Sequence, residues 1–370
     1  RNAPLILSMS PQEASDMSEQ QKLTVLLTGG SGVLGESLID CLAEDFDLVC
    51  LARKSRIRHP QVEVLKGDIC SPRLGLTASD YEALLKRVDW VIHAAAVTRM
   101  DGDIDQIFSV NYLGTENVVN FVQQANVPLY HISTAFTHPC DYYEGVQAET
   151  PYEVAKRQAE TLVRSAGIDV SIFRPSIIIG DSDSGHMPNF QGFHMTMGLM
   201  MSGVLPIVPC PPAGYIDLIA RDVAARAIAN ALRQRLIGAD YFLTSGPQAL
   251  DLEGLLDLMC QSMEAQAQAF TRPRCMAPDI YERLIRPVFL PALTGNIQAA
   301  LGRANQLCRY ACLRTPLPTS LPELLGEPAF SARDVSRELL LSLNHLAPKL
   351  GALTRMLKQP MPTVAQASVA

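Results

Sequence analysis

The feature that most constrains this chain is a short apolar run that stops on glycines and restarts as a helix. Leu23-Thr24-Val25-Leu26-Leu27 is apolar and partly β-branched, which predicts a buried strand, and Thr28-Gly29-Gly30-Ser31-Gly32-Val33-Leu34-Gly35 follows at once. Val33, Leu34, Leu38, Ile39 and Leu42 then recur at helical spacing. Strand, glycine turn and helix therefore occur in the order a dinucleotide site requires. Gly29, Gly32 and Gly35 permit a tight turn, let a pyrophosphate approach the backbone and let the helix pack closely on the strand. The helix N-terminus then offers its N–H groups to the phosphates.

The same rhythm continues. A second apolar strand, residues 48–52, ends where an NAD-binding fold would carry an acidic residue for the ribose 2′-hydroxyl. Arg53, Lys54, Arg56 and Arg58 stand there instead, in a chain of formal net charge −7. Guanidinium and ammonium groups suit the 2′-phosphate, so the cofactor expected is NADPH. Residues 62–65 lead to Gly67-Asp68-Ile69, with a carboxylate at a strand end placed to accept the adenine amino group. Residues 88–92 lead to His93-Ala94-Ala95-Ala96, whose small side chains let a cofactor lie against the backbone, and His93 itself reads as a packed residue. An amphipathic helix is expected over about 103–125, then a strand over 129–132 that ends in Ser133-Thr134. Alternating strands and helices predict an α/β fold, a doubly wound parallel sheet of Rossmann type, with ligands at the carboxyl ends of the strands.

Thr150-Pro151-Tyr152-Glu153-Val154-Ala155-Lys156 supplies the chemistry. Thr150 suits an N-cap, Pro151 the first helical position, and Glu153 completes a T-x-x-E capping box. Tyr152 and Lys156 then share one helix face. A phenol with a pKa near ~10 is a weak acid at neutral pH, and a cation fixed beside it is expected to lower that value. The hydroxyl of Ser133 or Thr134 is placed to hold a substrate oxygen beside the phenol.

Together these segments resemble the extended short-chain dehydrogenase/reductase family. The likeness is carried by residues 28–35, Asp68-Ile69, His93-Ala94-Ala95-Ala96, Asn111, Ser133-Thr134, Tyr152 with Lys156, and Phe173-Arg174-Pro175. It implies Tyr152 as general acid/base and Lys156 as the residue that lowers its pKa and binds the nicotinamide ribose. Thr134 is implied as the orienting hydroxyl, with Ser133 the fallback. The cofactor contacts implied are Thr28, Gly29, Ser31, Gly32, Val33, Leu34, Gly35, Arg53, Lys54, Asp68, Ile69, Ala94, Ala95, Ala96, Lys156, Pro175 and Ile178. Residues 174–185, read as R-P-S-I-x-x-G-D-S-x-x-G, are similar to the thioester-reductase and fatty acyl-CoA reductase branch, the male-sterility group, as are residues 215–223 and 241–246. That branch implies an acyl thioester substrate, on coenzyme A or a phosphopantetheine carrier, reduced to an aldehyde, with a second hydride giving the alcohol left open. The alternatives are a dehydrogenase, reductase or epimerase acting on a sterol, flavonoid or sugar-type group, and a non-catalytic cofactor-binding Rossmann protein.

The chain has 370 residues, 48% of them hydrophobic, enough for one large α/β domain and a smaller lobe. The expected layout is a flexible leader over 1–21, an NADP-binding Rossmann domain over 22–180 with later contributions from about 215–246, and a smaller, mostly helical substrate lobe from 181–214 and 247–370. Between Gly185 and Pro212 lies a run rich in methionine and phenylalanine, open to reading as a mouldable acyl-binding wall or as core filler. Nine cysteines without a C-x-x-C pair indicate reduced thiols, a cytoplasmic setting and no metal site. No apolar run is long enough to span a membrane, and an acidic chain gives no reason to invoke nucleic acid.

Overall fold

The computed structural model describes residues 22–53, 57–98, 103–146, 149–190, 192–293, 295–352 and 355. The expected leader, Lys54 and Arg56 lie outside the described residues.

The first strand, β1 (Thr24–Thr28), and the helix after its glycine turn, α1 (Val33–Leu42), form where the sequence places them. Then come β2 (Asp47–Ala52), β3 (Val62–Lys66), α2 (Ala78–Arg87) and β4 (Trp90–His93). The expected long helix is continuous but not uniform: Ile104–Phe108 is α-helical, Ser109–Leu113 is one π-turn, and α3 (Gly114–Ala125) completes it. The π-turn swings Asn111 inward, where its amide accepts from Val97 N (2.8 Å) and donates to Val97 O (2.9 Å), pinning the loop after β4. Next are β5 (Leu129–Ile132), α4 (Pro151–Ser165) and β6 (Val170–Pro175).

A short strand β7 (Ile177–Ile179) leaves the main sheet and pairs in parallel with β8 (Leu218–Ala220). Between them lies α5 (Gly192–Met201). Helix α6 (Arg221–Arg233) then leads to β9 (Asp240–Leu243), which returns to the main sheet beside β6. The seven-stranded sheet runs β9-β6-β5-β4-β1-β2-β3, every pairing parallel. Strand order reverses between β1 and β4, and a cleft opens there at the carboxyl ends, as doubly wound sheets require.

Alternation along β1 shows how both faces are filled. Val25 and Leu27 join the core cluster with α1 and α6, while Leu26 joins the opposite one with Tyr81, Leu84, Val118 and Val163 from α2, α3 and α4. The first cluster runs on without a break into the C-terminal helices α7 (Leu252–Ala265), α8 (Gly295–Cys308) and α9 (Val335–Leu346). There α7 packs on α9, and α8 on α5. Met197, Met200, Met201, Leu199 and Leu205 are buried in this shared core. Most of the methionine-rich run is therefore filler between the sheet and the C-terminal helices; among its described residues, only Gly192 and Phe193 reach the cleft.

Candidate active site

The glycine turn is shaped by contacts that no side chain could share. Gly29 sits at φ +81°, and a Cβ there would lie 2.5 Å from Ala95 N. Gly32 N donates to Gly29 O (2.9 Å), closing the turn. A Cβ on Gly35 would lie 2.1 Å from Gly29 O, so only glycine lets α1 press onto the turn. Gly32 caps the helix without a side-chain hydrogen bond, which leaves the first-turn N–H groups facing the cleft.

The cleft runs across the switch point in two connected halves that share Gly29, Gly32, Ala94 and Ala96. One half is lined by Ser31, Arg53, Asp68, Ile69 and Ala95. The other is lined by Val33, Leu34, Gly35, Ser133, Thr134, Tyr152, Lys156, Pro175 and Ile178. The structure thus gathers the sequence-expected site residues along one groove, with one exception besides Lys54. Thr28 is fully buried behind the turn, its hydroxyl 2.7 Å from His93 Nδ1 and accepting from Ala95 N (3.3 Å). It braces β4 against β1 and does not face the groove. Arg174, from the motif segment, also stays behind the wall. A groove floored by glycine and alanine, with helix N–H groups at one point and a carboxylate and a guanidinium at the far end, fits a dinucleotide.

Helix α4 begins as its sequence dictates. Glu153 N donates to Thr150 Oγ1 (3.2 Å) and Thr150 N donates to Glu153 Oε2 (2.7 Å), a complete capping box behind Pro151. Tyr152 and Lys156 are both buried on the cleft side. Their electrostatics differ from the expectation. Burial pushes the Tyr152 phenol above its ordinary value, the Glu153 carboxylate adds to the rise, and a hydrogen bond with the Thr134 hydroxyl opposes it. Lys156 is lowered to about 8 by burial, against the pull of Glu160, and its Nζ donates to Ile132 O (2.6 Å). The ammonium is turned to the end of β5, and burial keeps the phenol protonated.

Position 160, one turn beyond Lys156, escaped the sequence reading although Tyr152, Lys156 and Glu160 follow one helical stripe. Glu160 accepts from Ser133 Oγ (2.5 Å) and Thr137 Oγ1 (2.7 Å), and is gripped by Arg174 through Nε (2.9 Å) and Nη2 (2.5 Å). Burial works to raise this carboxyl, but Arg174 and the two hydroxyls hold it below its usual value. Arg174 also meets Asp240 (2.9 Å), tying β6, α4 and β9 together. Ser133 is therefore committed to Glu160, which leaves Thr134 as the hydroxyl beside the phenol. His93 is likewise occupied, between Thr28 and Thr115 (3.0 Å), and burial lowers it to about 3, so it stays neutral.

The remaining wall is apolar. Phe136, Ile177 and Phe193 face the groove together with Leu307 and Tyr310 from the end of α8. Nothing local in the sequence marks Leu307 or Tyr310, which reach the site only through the packing of α8 on α5. Among the described residues no group of three or more His, Cys, Asp or Glu could hold a metal ion, and no helix is long and apolar enough to cross a membrane.

Residues 55–228 match the family model described as male sterility protein, an NAD-binding domain. A linear gramicidin synthase polypeptide of Brevibacillus parabrevis is 27% identical over 295 residues, which cover 68% of this chain and 6% of that protein. The chain thus spans a small fraction of the synthase it matches. The fatty acyl-CoA reductase wat of Drosophila melanogaster is 27% identical over 277 residues, 56% of this chain and 53% of that one. Among solved structures, the terminal R domain from the myxalamid PKS-NRPS biosynthetic pathway superposes with a TM-score of 0.71 at 21% identity, covering 90% of this chain and 92% of that one. At that identity the match speaks for the fold alone.

Proposed function

We propose that this chain, which belongs to the extended short-chain dehydrogenase/reductase family through its male-sterility-type NAD-binding domain, is a reductase that uses NADPH to convert an acyl thioester into an aldehyde. The observation that carries the reading is the juxtaposition of Tyr152, Thr134 and Lys156 with an apolar wall of Phe136, Phe193, Leu307 and Tyr310 in one groove. A wall of that kind suits an acyl chain better than a sugar. The curated relatives, a gramicidin synthase and a fatty acyl-CoA reductase, support a thioester, on a phosphopantetheine arm or on coenzyme A.

The glycine turn and the first turn of α1 would hold the pyrophosphate, Asp68 the adenine, Arg53 the 2′-phosphate, and Lys156 with Pro175 and Ile178 the nicotinamide riboside. Bound there, NADPH supplies the hydride. The chain does the rest. Thr134 and Tyr152 present two hydrogen-bond donors to the carbonyl oxygen, and that oxygen gains negative charge as the carbon becomes tetrahedral. Tyr152 passes its proton to that oxygen, and the Lys156 charge stabilises the phenolate left behind once the ammonium has turned from Ile132 O toward the groove. Collapse of the hemithioacetal releases the thiol and leaves the aldehyde.

The test runs a free-thiol assay beside NADPH oxidation, with acyl thioesters, aldehydes, ketones and nucleotide sugars as substrates. One thiol released per aldehyde formed is the expected result, with kcat/KM falling by about 0.8 kcal/mol for each methylene removed from a buried acyl chain. Turnover of ketones or sugars without any thioester would overturn the assignment and leave the fold untouched.

A further inference from the structure

Glu153 does more than cap its helix. Its second oxygen, Oε1, lies 3.2 Å from Nη2 of Arg309, and both side chains are almost completely buried, at 0% and 7% exposure. Arg309 belongs to the turn that ends α8, more than a hundred residues away in sequence. The guanidinium stands 4.5 Å from the centre of the Tyr142 ring, and the next residue, Tyr310, packs its own ring 4.2 Å from Phe136. The backbone fixes the same turn: Tyr143 N donates to Cys312 O (3.0 Å), Arg314 N to Asp141 O (2.8 Å) and Tyr215 N to Leu313 O (2.8 Å). One turn of the C-terminal lobe therefore faces the groove through Leu307 and Tyr310 and grips the first turn of α4 through Arg309.

We propose that Arg309 is a positioning residue for Tyr152, so that the turn that walls the substrate side of the groove also supplies the counter-charge that holds the catalytic helix. The proposal rests on the reading of Tyr152 as proton donor. Its physical content is electrostatic as well as steric. Glu153 is next to Tyr152 in sequence and its charge disfavours the phenolate. A buried carboxylate is tolerated there because a buried cation faces it, and removing the cation leaves its full field on the phenol. The other groups that reach Glu153 are Arg157 on its own helix and Tyr142, Cys140 and Tyr310 from the elements packed against it. None of these neighbours replaces the buried guanidinium: the tyrosines and the thiol are uncharged at neutral pH, and Arg157 pairs with Glu149.

The experiment compares wild type with Arg309→Met, Glu153→Gln and the double variant, through the pH profile of kcat and through amide hydrogen exchange of residues 151–165. In the direction of reduction Tyr152 must be protonated and Lys156 charged; Lys156, lowered to about 8, sets a first alkaline fall, and the limb read here is the later one, on which the phenol ionises. Arg309→Met, which leaves Glu153 unopposed, should move that limb up by about one pH unit and lower kcat roughly tenfold. Glu153→Gln keeps the capping box and removes the like charge, so its limb should move down. The double variant should return to the wild-type position. Exchange in the first turn of α4 should quicken in Arg309→Met.

Limbs displaced in the same direction by both single variants, or a double variant still displaced, would overturn the proposal. So would an Arg309→Met protein whose limb and exchange both match wild type. If Arg309→Met does not fold, the sign of the Glu153→Gln displacement decides. The exchange measurement needs no substrate, so it judges the anchoring even where the thioester assay has already rejected the proposed function.

Discussion

From Gly29 to Ala96 the groove is floored by main chain, whereas from Thr134 to Tyr310 it is walled by side chains drawn from five separated segments. That main-chain floor can be built only one way. Gly35 has no room for a Cβ, Gly29 holds a positive φ, and the helix above them presents bare N–H groups. The second half has freedom: Phe136, Phe193, Leu307 and Tyr310 fill space that other apolar side chains fill as well. The difference shows where specificity can change at small cost. On the proposed reading the cofactor would be gripped by backbone that must keep its glycines, and the substrate would meet side chains that can be exchanged singly.

The largest test separates chemistry from binding. Tyr152→Phe should lower kcat by roughly 10²-fold or more and leave NADPH affinity near that of wild type, because in the proposed mechanism the phenol hydroxyl serves the substrate oxygen and not the cofactor. A fluorescence titration of NADPH beside the rate measurement reads both. Near-normal turnover would remove Tyr152 from the mechanism.

A smaller effect is expected where backbone does the work. Gly35→Ala places a methyl against Gly29 O and should cost on the order of 1–3 kcal/mol, read as weaker NADPH binding or a lower unfolding midpoint. The same one-methyl change in the side-chain wall, at Gly192, meets only the end of the Leu307 side chain at 3.0 Å and should be absorbed. Equal damage at the two positions would break the contrast between a rigid half and an adaptable one.

Acid should weaken both halves together. Burial holds His93 at about 3 and His194 at about 4, and lowers His131 well below its ordinary value. The unfolded chain takes up these protons near pH ~6.5 and the folded chain refuses them, so stability is present above that pH and falls as the pH drops below it. Urea midpoints at pH 7.5 and pH 5 should therefore differ clearly. An unchanged midpoint would mean that the histidines reach water.

The smallest expected effect concerns the exposed end of the cofactor groove. Arg53→Ala should reduce a preference for NADPH over NADH by about tenfold, because one exposed guanidinium contributes a single charge-assisted contact. Equal wild-type affinities for the two cofactors would reduce the run from Arg53 to Arg58 to a solvated loop.

Much of the scaffold was legible because its signals are local. A strand of five residues, a glycine turn, a capping box and a Tyr–Lys pair each span fewer than ten positions, and each is fixed by backbone geometry that only certain residues satisfy. Within that reach the sequence even contained Glu160, one turn past Lys156, which went unread because its partner Arg174 sits on another strand. The methionine-rich run illustrates the opposite limit. Its composition allowed a wall or a core, and the packing of α8 on α5 made it core.

The sequence by itself determined the order of strands and helices, the dinucleotide turn and the face of α4 that carries Tyr152 and Lys156. Tertiary structure alone decided that Ser133 serves Glu160 and leaves Thr134 to the phenol, that Lys156 turns to Ile132 O, and that Arg309 meets Glu153. The reason is physical. Helix and turn preferences act between neighbours along the chain, whereas hydrogen-bond partners and shifted acidities depend on which groups are buried together, and burial is a property of the packed molecule.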